Sequence, residues 1–205
     1  MKLKVCGLSN KIEVETCIKN NVDYCGFILN YTKSHRFVSL DKAESLTKLE
    51  KKGTKFVGVL VEPTIEELNI FSKLNLDFFQ LYGNYNNKDL LNIKNRFNKK
   101  LITSIQVKKM KDIQNYKKIE KESDIILWDS SGYEQSLSWD YNWLNSASTK
   151  VDKMVAGNIT IDKLKNLNDL ADIVDVSGAL ETNKVKDINK IKMFVNEIKK
   201  INNAY

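Results

Sequence analysis

Cys6 closes the first apolar run of the chain, Leu3-Lys4-Val5-Cys6, and Gly7 follows at once. Asp129 closes a later run in the same way, at the end of Ile125-Ile126-Leu127-Trp128-Asp129. A thiol with thiolate character is a base, and a carboxyl kept protonated by burial is an acid. Each stands where a buried strand runs out into a loop, and parallel α/β folds gather their chemistry at such strand ends. If both strands belong to one barrel, base and acid face one pocket.

Other loops offer binding groups. Tyr31 to Ser39 carries the only histidine, His35, beside Arg36. Ala156-Gly157-Asn158 and Asp175-Val176-Ser177-Gly178 combine small residues with nearby helix starts. Loops of that kind aim backbone N–H groups at an anion, and the loops after the last two strands are the customary phosphate site of barrels. Gly157, Asn158, Ser177 and Gly178 are therefore the candidate phosphate cradle. Asp175, at the end of the last strand-like run, is a further candidate binding residue.

The elements that must position these residues alternate. Strand-like runs lie at Leu3–Cys6, Tyr24–Leu29, Phe56–Val61, Phe78–Leu81, Leu101–Ile105, Ile125–Trp128, Lys153–Ala156 and Ile173–Val176. They are short, rich in β-branched and aromatic residues, and often continuously apolar, as strands covered on both faces are. Between them, 3.6-residue periodicity predicts helices. It groups Ile65, Leu68 and Phe71 on one face, Leu90, Leu91, Ile93 and Phe97 on another, and Ile188, Ile191, Val195 and Ile198 on a third. Pro63-Thr64 with Glu66 and Glu67 reads as a helix start, and Ser39 and Thr160 as caps. Eight strands with about eight helices predict a single-domain (β/α)8 TIM barrel over residues 1–205, at roughly 26 residues per unit. A doubly wound sheet is the rival, but no GxGxxG motif follows the first strand.

Composition bounds the partners. The net charge is +7, yet the lysines are spread over solvated helix faces without a compact basic block. That argues against nucleic acid and for a phosphorylated small molecule. Three cysteines, all within the first 25 residues and without CxxC spacing, fit a reducing compartment. With no leader-like segment and no long apolar run, the expectation is a cytoplasmic protein that touches no membrane. One histidine and scattered cysteines make no ligand set, so neither metal nor other cofactor is expected. Cys17, Cys25, Trp128, Trp139 and Trp143 read as packing residues, and His35 as a loop residue. Monomer and homodimer both remain open.

Taken in order, Lys4-Val5-Cys6-Gly7-Leu8, Tyr24-Cys25-Gly26-Phe27-Ile28, Ser34-His35-Arg36-Phe37-Val38-Ser39, Val57-Gly58-Val59, Asp77-Phe78-Phe79-Gln80-Leu81-Tyr82-Gly83, Leu127-Trp128-Asp129-Ser130, Ala156-Gly157-Asn158 and Val174-Asp175-Val176-Ser177-Gly178 resemble phosphoribosylanthranilate isomerases over nearly the whole chain. The resemblance implies an Amadori rearrangement in tryptophan biosynthesis. N-(5′-phosphoribosyl)anthranilate becomes 1-(2-carboxyphenylamino)-1-deoxyribulose 5-phosphate, with Cys6 as general base and Asp129 as general acid. It also implies that Arg36 meets the anthranilate carboxylate. Without it, Cys6 would read as an inert buried thiol and Asp129 as a turn residue.

The chain departs from the family pattern in places. Ser131-Gly132-Tyr133-Glu134-Gln135-Ser136-Leu137-Ser138 replaces a glycine-rich stretch, and Trp139-Asp140-Tyr141 follows. Tyr82 stands where the family carries histidine, Asn158 replaces its second glycine after strand seven, and His35 its proline. Two alternatives follow: a barrel that binds a sugar phosphate without turnover, and a dual isomerase that also takes the histidine-pathway aminoaldose. Cysteine rather than aspartate at position 6 argues against the second.

Overall fold

Residues 1–130 and 137–204 are described by a computed structural model. Eight strands close into one parallel barrel in strict chain order: β1 (Lys2–Cys6), β2 (Tyr24–Ile28), β3 (Lys55–Val61), β4 (Phe78–Tyr82), β5 (Lys100–Val107), β6 (Ile125–Ser130), β7 (Asp152–Val155) and β8 (Ile173–Val176). β8 pairs with β1, Val176 lying opposite Val5, and so closes the ring. Each strand-like run of the sequence becomes one of these strands, within two residues at either end.

Side chains alternate across a strand, so every second residue points into the barrel. Val57, Phe78, Ile102, Leu127, Met154 and Ile173 form the interior cluster, joined by Cys6 and Tyr82 near the mouth. The intervening residues, among them Val5, Phe27, Phe79, Leu101 and Trp128, pack outward against the surrounding layer. Because both sets are buried, the strands read as unbroken apolar runs.

That layer includes α1 (Lys11–Lys19), α2 (Leu40–Thr47), α3 (Ile65–Ser72), α4 (Asn87–Phe97), α5 (Leu164–Leu167) and α6 (Ile188–Asn203). Asn10 with Glu13, Thr64 with Glu67 and Asn86 with Asp89 form reciprocal caps, each worth about 1 kcal/mol. Ser39 and Thr160 do occupy helix-start positions, but their side chains make no capping bond. The last helix buries Ile191, Phe194, Val195, Ile198 and Ile201. Two expected core positions face outward instead. Leu91 lies beyond the stripe Leu90-Ile93-Phe97, and Ile65 is left at the open first turn while Leu68 and Phe71 go inward.

The connections after β5 and β6 are helical but not α-helical. There the chain forms 3-10 helices, Met110–Lys118 and Tyr141–Ser146. The burial pattern supplies the reason: Ile113, Tyr116 and Ile119 are buried, as are Leu144 and Ala147. An interval of three aligns side chains on a three-residue turn, whereas on an α-helix it drifts off the face. Among the described residues, no helix is long and apolar enough to cross a membrane.

Candidate active site

Cys6 ends β1 and Asp129 is the penultimate residue of β6, and both line one pocket at the C-terminal mouth of the barrel. Their strands are not neighbours, so closure of the barrel is what brings them together. Arg36, Gly157, Asn158, Asp175, Ser177 and Gly178 line the same pocket. Every site residue singled out in the sequence thus reaches one cavity.

The surroundings of Cys6 depend on a residue the sequence reading passed over. Lys4, two positions earlier on the inward face of β1, is fully buried. Its Nζ donates to Oδ1 and Oδ2 of Asp175, each at 2.9 Å. Gly26 lies opposite Cys6 in the register, and a Cβ there would stand 3.1 Å from Lys4 Nζ and 3.2 Å from Cys6 Sγ. Glycine leaves room for ammonium and thiol side by side. Burial pushes the Cys6 thiol above its ordinary value; Lys4 opposes this by charge and hydrogen bonding, while Asp175 adds to it. Burial also disfavours the Lys4 charge, but Asp175 and Cys6 outweigh it and the ammonium is kept. A lysine inside an apolar run was the signal for this pair.

Asp129 is held from two sides. Tyr82 Oη donates to its Oδ2 at 2.7 Å, and the Ser130 N–H donates to its Oδ1 at 2.7 Å. Burial raises its carboxyl to about 6, against the opposing effect of the Tyr82 hydrogen bond, with Asp175 adding to the rise. Behind Tyr82, Gln80 Nε2 donates to Tyr82 Oη at 3.1 Å.

Arg36 is clamped rather than loose. Its Nε and Nη2 donate to Glu181 at 2.5 and 2.9 Å, a fork-to-carboxylate pair. Glu181 begins β9 (Glu181–Thr182), which pairs with β10 (Val185–Lys186) through the left-handed residues Asn183 and Lys184. This two-residue hairpin puts Lys186 opposite Glu181, and its Nζ donates to the same carboxylate at 2.5 Å. Burial works against the Glu181 charge, yet hydrogen bonds from Arg36 and Lys186 bring its carboxyl down to about 2. His35 Nε2 lies 3.2 Å from Glu181 as well. The hairpin is too short to show a strand pattern, and Asn183 was its one sequence signal.

Gly157 and Asn158 are consecutive left-handed residues, with φ of 110° and 50°. Asparagine tolerates that conformation, so the turn keeps its shape without the second glycine. A Cβ on Gly157 would meet the Leu137 carbonyl at 2.8 Å. Trp139 Nε1 donates to the Ala156 carbonyl at 2.8 Å, and Tyr141 Oη donates to the Gly157 carbonyl. Lys163 Nζ donates to the Asn158 carbonyl at 2.8 Å. Ser177 Oγ donates to the Cys6 carbonyl at 3.0 Å, which ties the β8 loop to the first strand end. Residues 131–136 of the altered loop after Asp129 lie outside the described residues.

Cys17 and Cys25 are fully buried in the core, as is Trp128, whose Nε1 donates to the Ile113 carbonyl at 3.2 Å. Among the described residues, no three His, Cys, Asp or Glu side chains cluster as a metal ion requires.

A closed parallel barrel with a thiol and a carboxyl facing one pocket at its C-terminal mouth defines a (β/α)8 enzyme. The N-(5'phosphoribosyl)anthranilate (PRA) isomerase family model matches residues 3–197. The chain belongs to that family. It is 35% identical over 202 residues to the N-(5'-phosphoribosyl)anthranilate isomerase of Streptococcus mutans, covering 97% of this chain and 99% of the relative. The crystal structure of phosphoribosyl anthranilate isomerase from Thermotoga maritima superposes with a TM-score of 0.85 at 25% identity, over 98% of this chain and 99% of that one. A structure of the enzyme in complex with reduced 1-(o-carboxyphenylamino)-1-deoxyribulose 5-phosphate shares the fold, with a TM-score of 0.80 at 23% identity over 98% and 99% of the two chains.

Proposed function

We infer that residues 1–205 form one isomerase domain that converts N-(5′-phosphoribosyl)anthranilate to 1-(2-carboxyphenylamino)-1-deoxyribulose 5-phosphate in tryptophan biosynthesis. The observation that carries this reading is the joint presence, in one pocket, of Cys6 beside Lys4 and Asp129 with a carboxyl raised to about 6.

Asp129 gives its proton to the ribose ring oxygen as the C1′–O bond breaks, opening the sugar to an iminium. Cys6, as thiolate, takes the C2′ proton, and the C2′–H electron pair moves to give an enolamine that tautomerises to the ketone. A carboxyl at about 6 retains a protonated fraction near neutral pH that an ordinary aspartate lacks. The Lys4 ammonium is the counter-charge that favours the thiolate. Arg36, oriented by Glu181, presents its guanidinium to the anthranilate carboxylate. The phosphate lies against the Gly157–Asn158 and Ser177–Gly178 turns, with Asp175 near the sugar hydroxyls.

The test is turnover of N-(5′-phosphoribosyl)anthranilate, followed as loss of its fluorescence. Cys6→Ser and Asp129→Asn are each expected to lower kcat by about 10²–10⁴-fold. Wild-type-like rates in either variant refute the assigned roles. Tight binding of the reduced product analogue without any turnover by the wild-type protein would show a binding barrel instead.

A further inference from the structure

Gln80 and Tyr82 are alternate residues of β4 and both point into the barrel. Gln80 is fully buried, and its Oε1 has no hydrogen-bond partner among the described residues. Its Nε2 meets Tyr82 Oη at 3.1 Å, and Tyr82 Oη lies 2.7 Å from Asp129 Oδ2. An amide N–H only donates, so the tyrosine oxygen facing Gln80 must accept, and its single proton is directed at Asp129. Turning the amide over would set Oε1 against Tyr82 and let the phenol donate backward, away from the acid. Keeping Nε2 toward Tyr82 leaves a buried carbonyl oxygen unpaired, at a cost. This orientation is the one in which the phenol proton is left for Asp129.

We propose that Gln80 and Tyr82 form a hydrogen-bond relay of fixed polarity that draws off the charge left on Asp129 when it gives up its proton. The reading rests on Asp129 being the acid of the proposed reaction. Asp129 donates its own proton to the substrate's ring oxygen, Tyr82 keeps its proton, and the phenol O–H bond to Oδ2 strengthens as the carboxyl becomes carboxylate. Tyr82 and Gln80 are positioning residues here. Gln80 acts through Tyr82, and Tyr82 acts through Asp129.

Other charged and titratable groups face this carboxyl: Asp175 from β8, Lys4 from β1 and Tyr141 from the 3-10 helix after β6. Tyr82 itself shares the pocket with Cys6 and Asp175, whose charges would disfavour its ionisation. None of these lies on β4, so substitutions at 80 and 82 change the relay while the other charges remain.

The decisive measurement is the titration of the Asp129 carboxyl in the free protein, by infrared difference spectroscopy with Asp129→Asn as the blank. Tyr82→Phe removes a bond to the ionised form, so the midpoint should rise by about one pH unit. Gln80→Leu leaves the phenol but frees its direction, and should raise the midpoint by less. Fluorotyrosine at position 82, a stronger donor of nearly the same shape, should lower it. A side chain that merely fills space would not produce shifts of opposite sign. Midpoints unchanged across the three variants, or moving the same way in all, would overturn the relay. If Tyr82→Phe does not fold, the fluorotyrosine protein carries the test alone. Should the shifts occur in a protein that does not turn over N-(5′-phosphoribosyl)anthranilate, the relay stands and the proposed function fails.

Discussion

Replacing Lys4 by methionine should damage the protein twice, in separable ways. The Lys4 ammonium is fully buried and donates to both oxygens of Asp175 at 2.9 Å. Removing one member of such a pair leaves the other buried and uncompensated, which costs about 3–5 kcal/mol. For a chain of this size, that is a fall in Tm of about 6–20 °C. The double variant Lys4→Met/Asp175→Leu removes both charges and should recover most of the loss, because apolar replacement of a whole buried pair is often neutral. The second effect falls on Cys6. Without the neighbouring ammonium, burial acts unopposed by Lys4 and the thiolate fraction drops. Alkylation by iodoacetamide at pH 8 should then slow in Lys4→Met. The label would be located by peptide mapping, since Cys17 and Cys25 are fully buried. Thermal unfolding and alkylation kinetics are thus the two assays. A Lys4→Met protein that unfolds within 1 kcal/mol of wild type, or whose Cys6 reacts at an unchanged rate, would refute the reasoning.

The pH profile of kcat/KM should have an inverted assignment. Asp129 at about 6 is the acid, while Cys6, above the ordinary thiol value, is the base. The rate rises with pH until about 6, because thiolate increases while Asp129 stays protonated, then runs flat, and falls above the thiol pKa. Even an ordinary thiol at about 8.5 would leave only about one molecule in 300 with both groups correctly protonated on the plateau. An acidic limb that persists unshifted in an active Asp129 variant would contradict this. Glu181→Gln should raise KM several-fold with a smaller effect on kcat, by releasing Arg36; an unchanged KM would count against the clamp. The Glu181 carboxyl is depressed to about 2, so its stabilisation is present above the unfolded value near 4 and is lost as pH falls toward 2. After solvent screening this is worth about 1–2 kcal/mol, and acid unfolding of Glu181→Gln should lack that part of the slope. Gly26→Ala should lower activity more than stability, since its methyl would press on Lys4 Nζ and Cys6 Sγ; kinetics beside a melting curve would decide it.

The strands were legible because burial on both faces writes them as apolar runs, and their count gave the barrel. Cys6 and Asp129 were legible because they interrupt such runs at their ends. Lys4 interrupts a run in the middle, where only the third dimension reveals its partner 171 residues away. Glu181 and Lys186 escaped because a hairpin with two residues per strand has no periodicity to detect. The 3-10 segments after β5 and β6 were not legible, because each is short and buries only a few side chains at intervals of three.

Those 3-10 segments bear on how a full barrel is assembled from 205 residues. Each 3-10 residue advances about 2.0 Å against about 1.5 Å in an α-helix, so a nine-residue segment reaches about 18 Å rather than about 13.5 Å. The outer wall across β5 and β6 is therefore stretched over fewer residues. Its hydrogen bonds are poorer for it, and amide exchange should begin on that side of the ring. The molecule has a thin flank, and Asp129 sits at its rim.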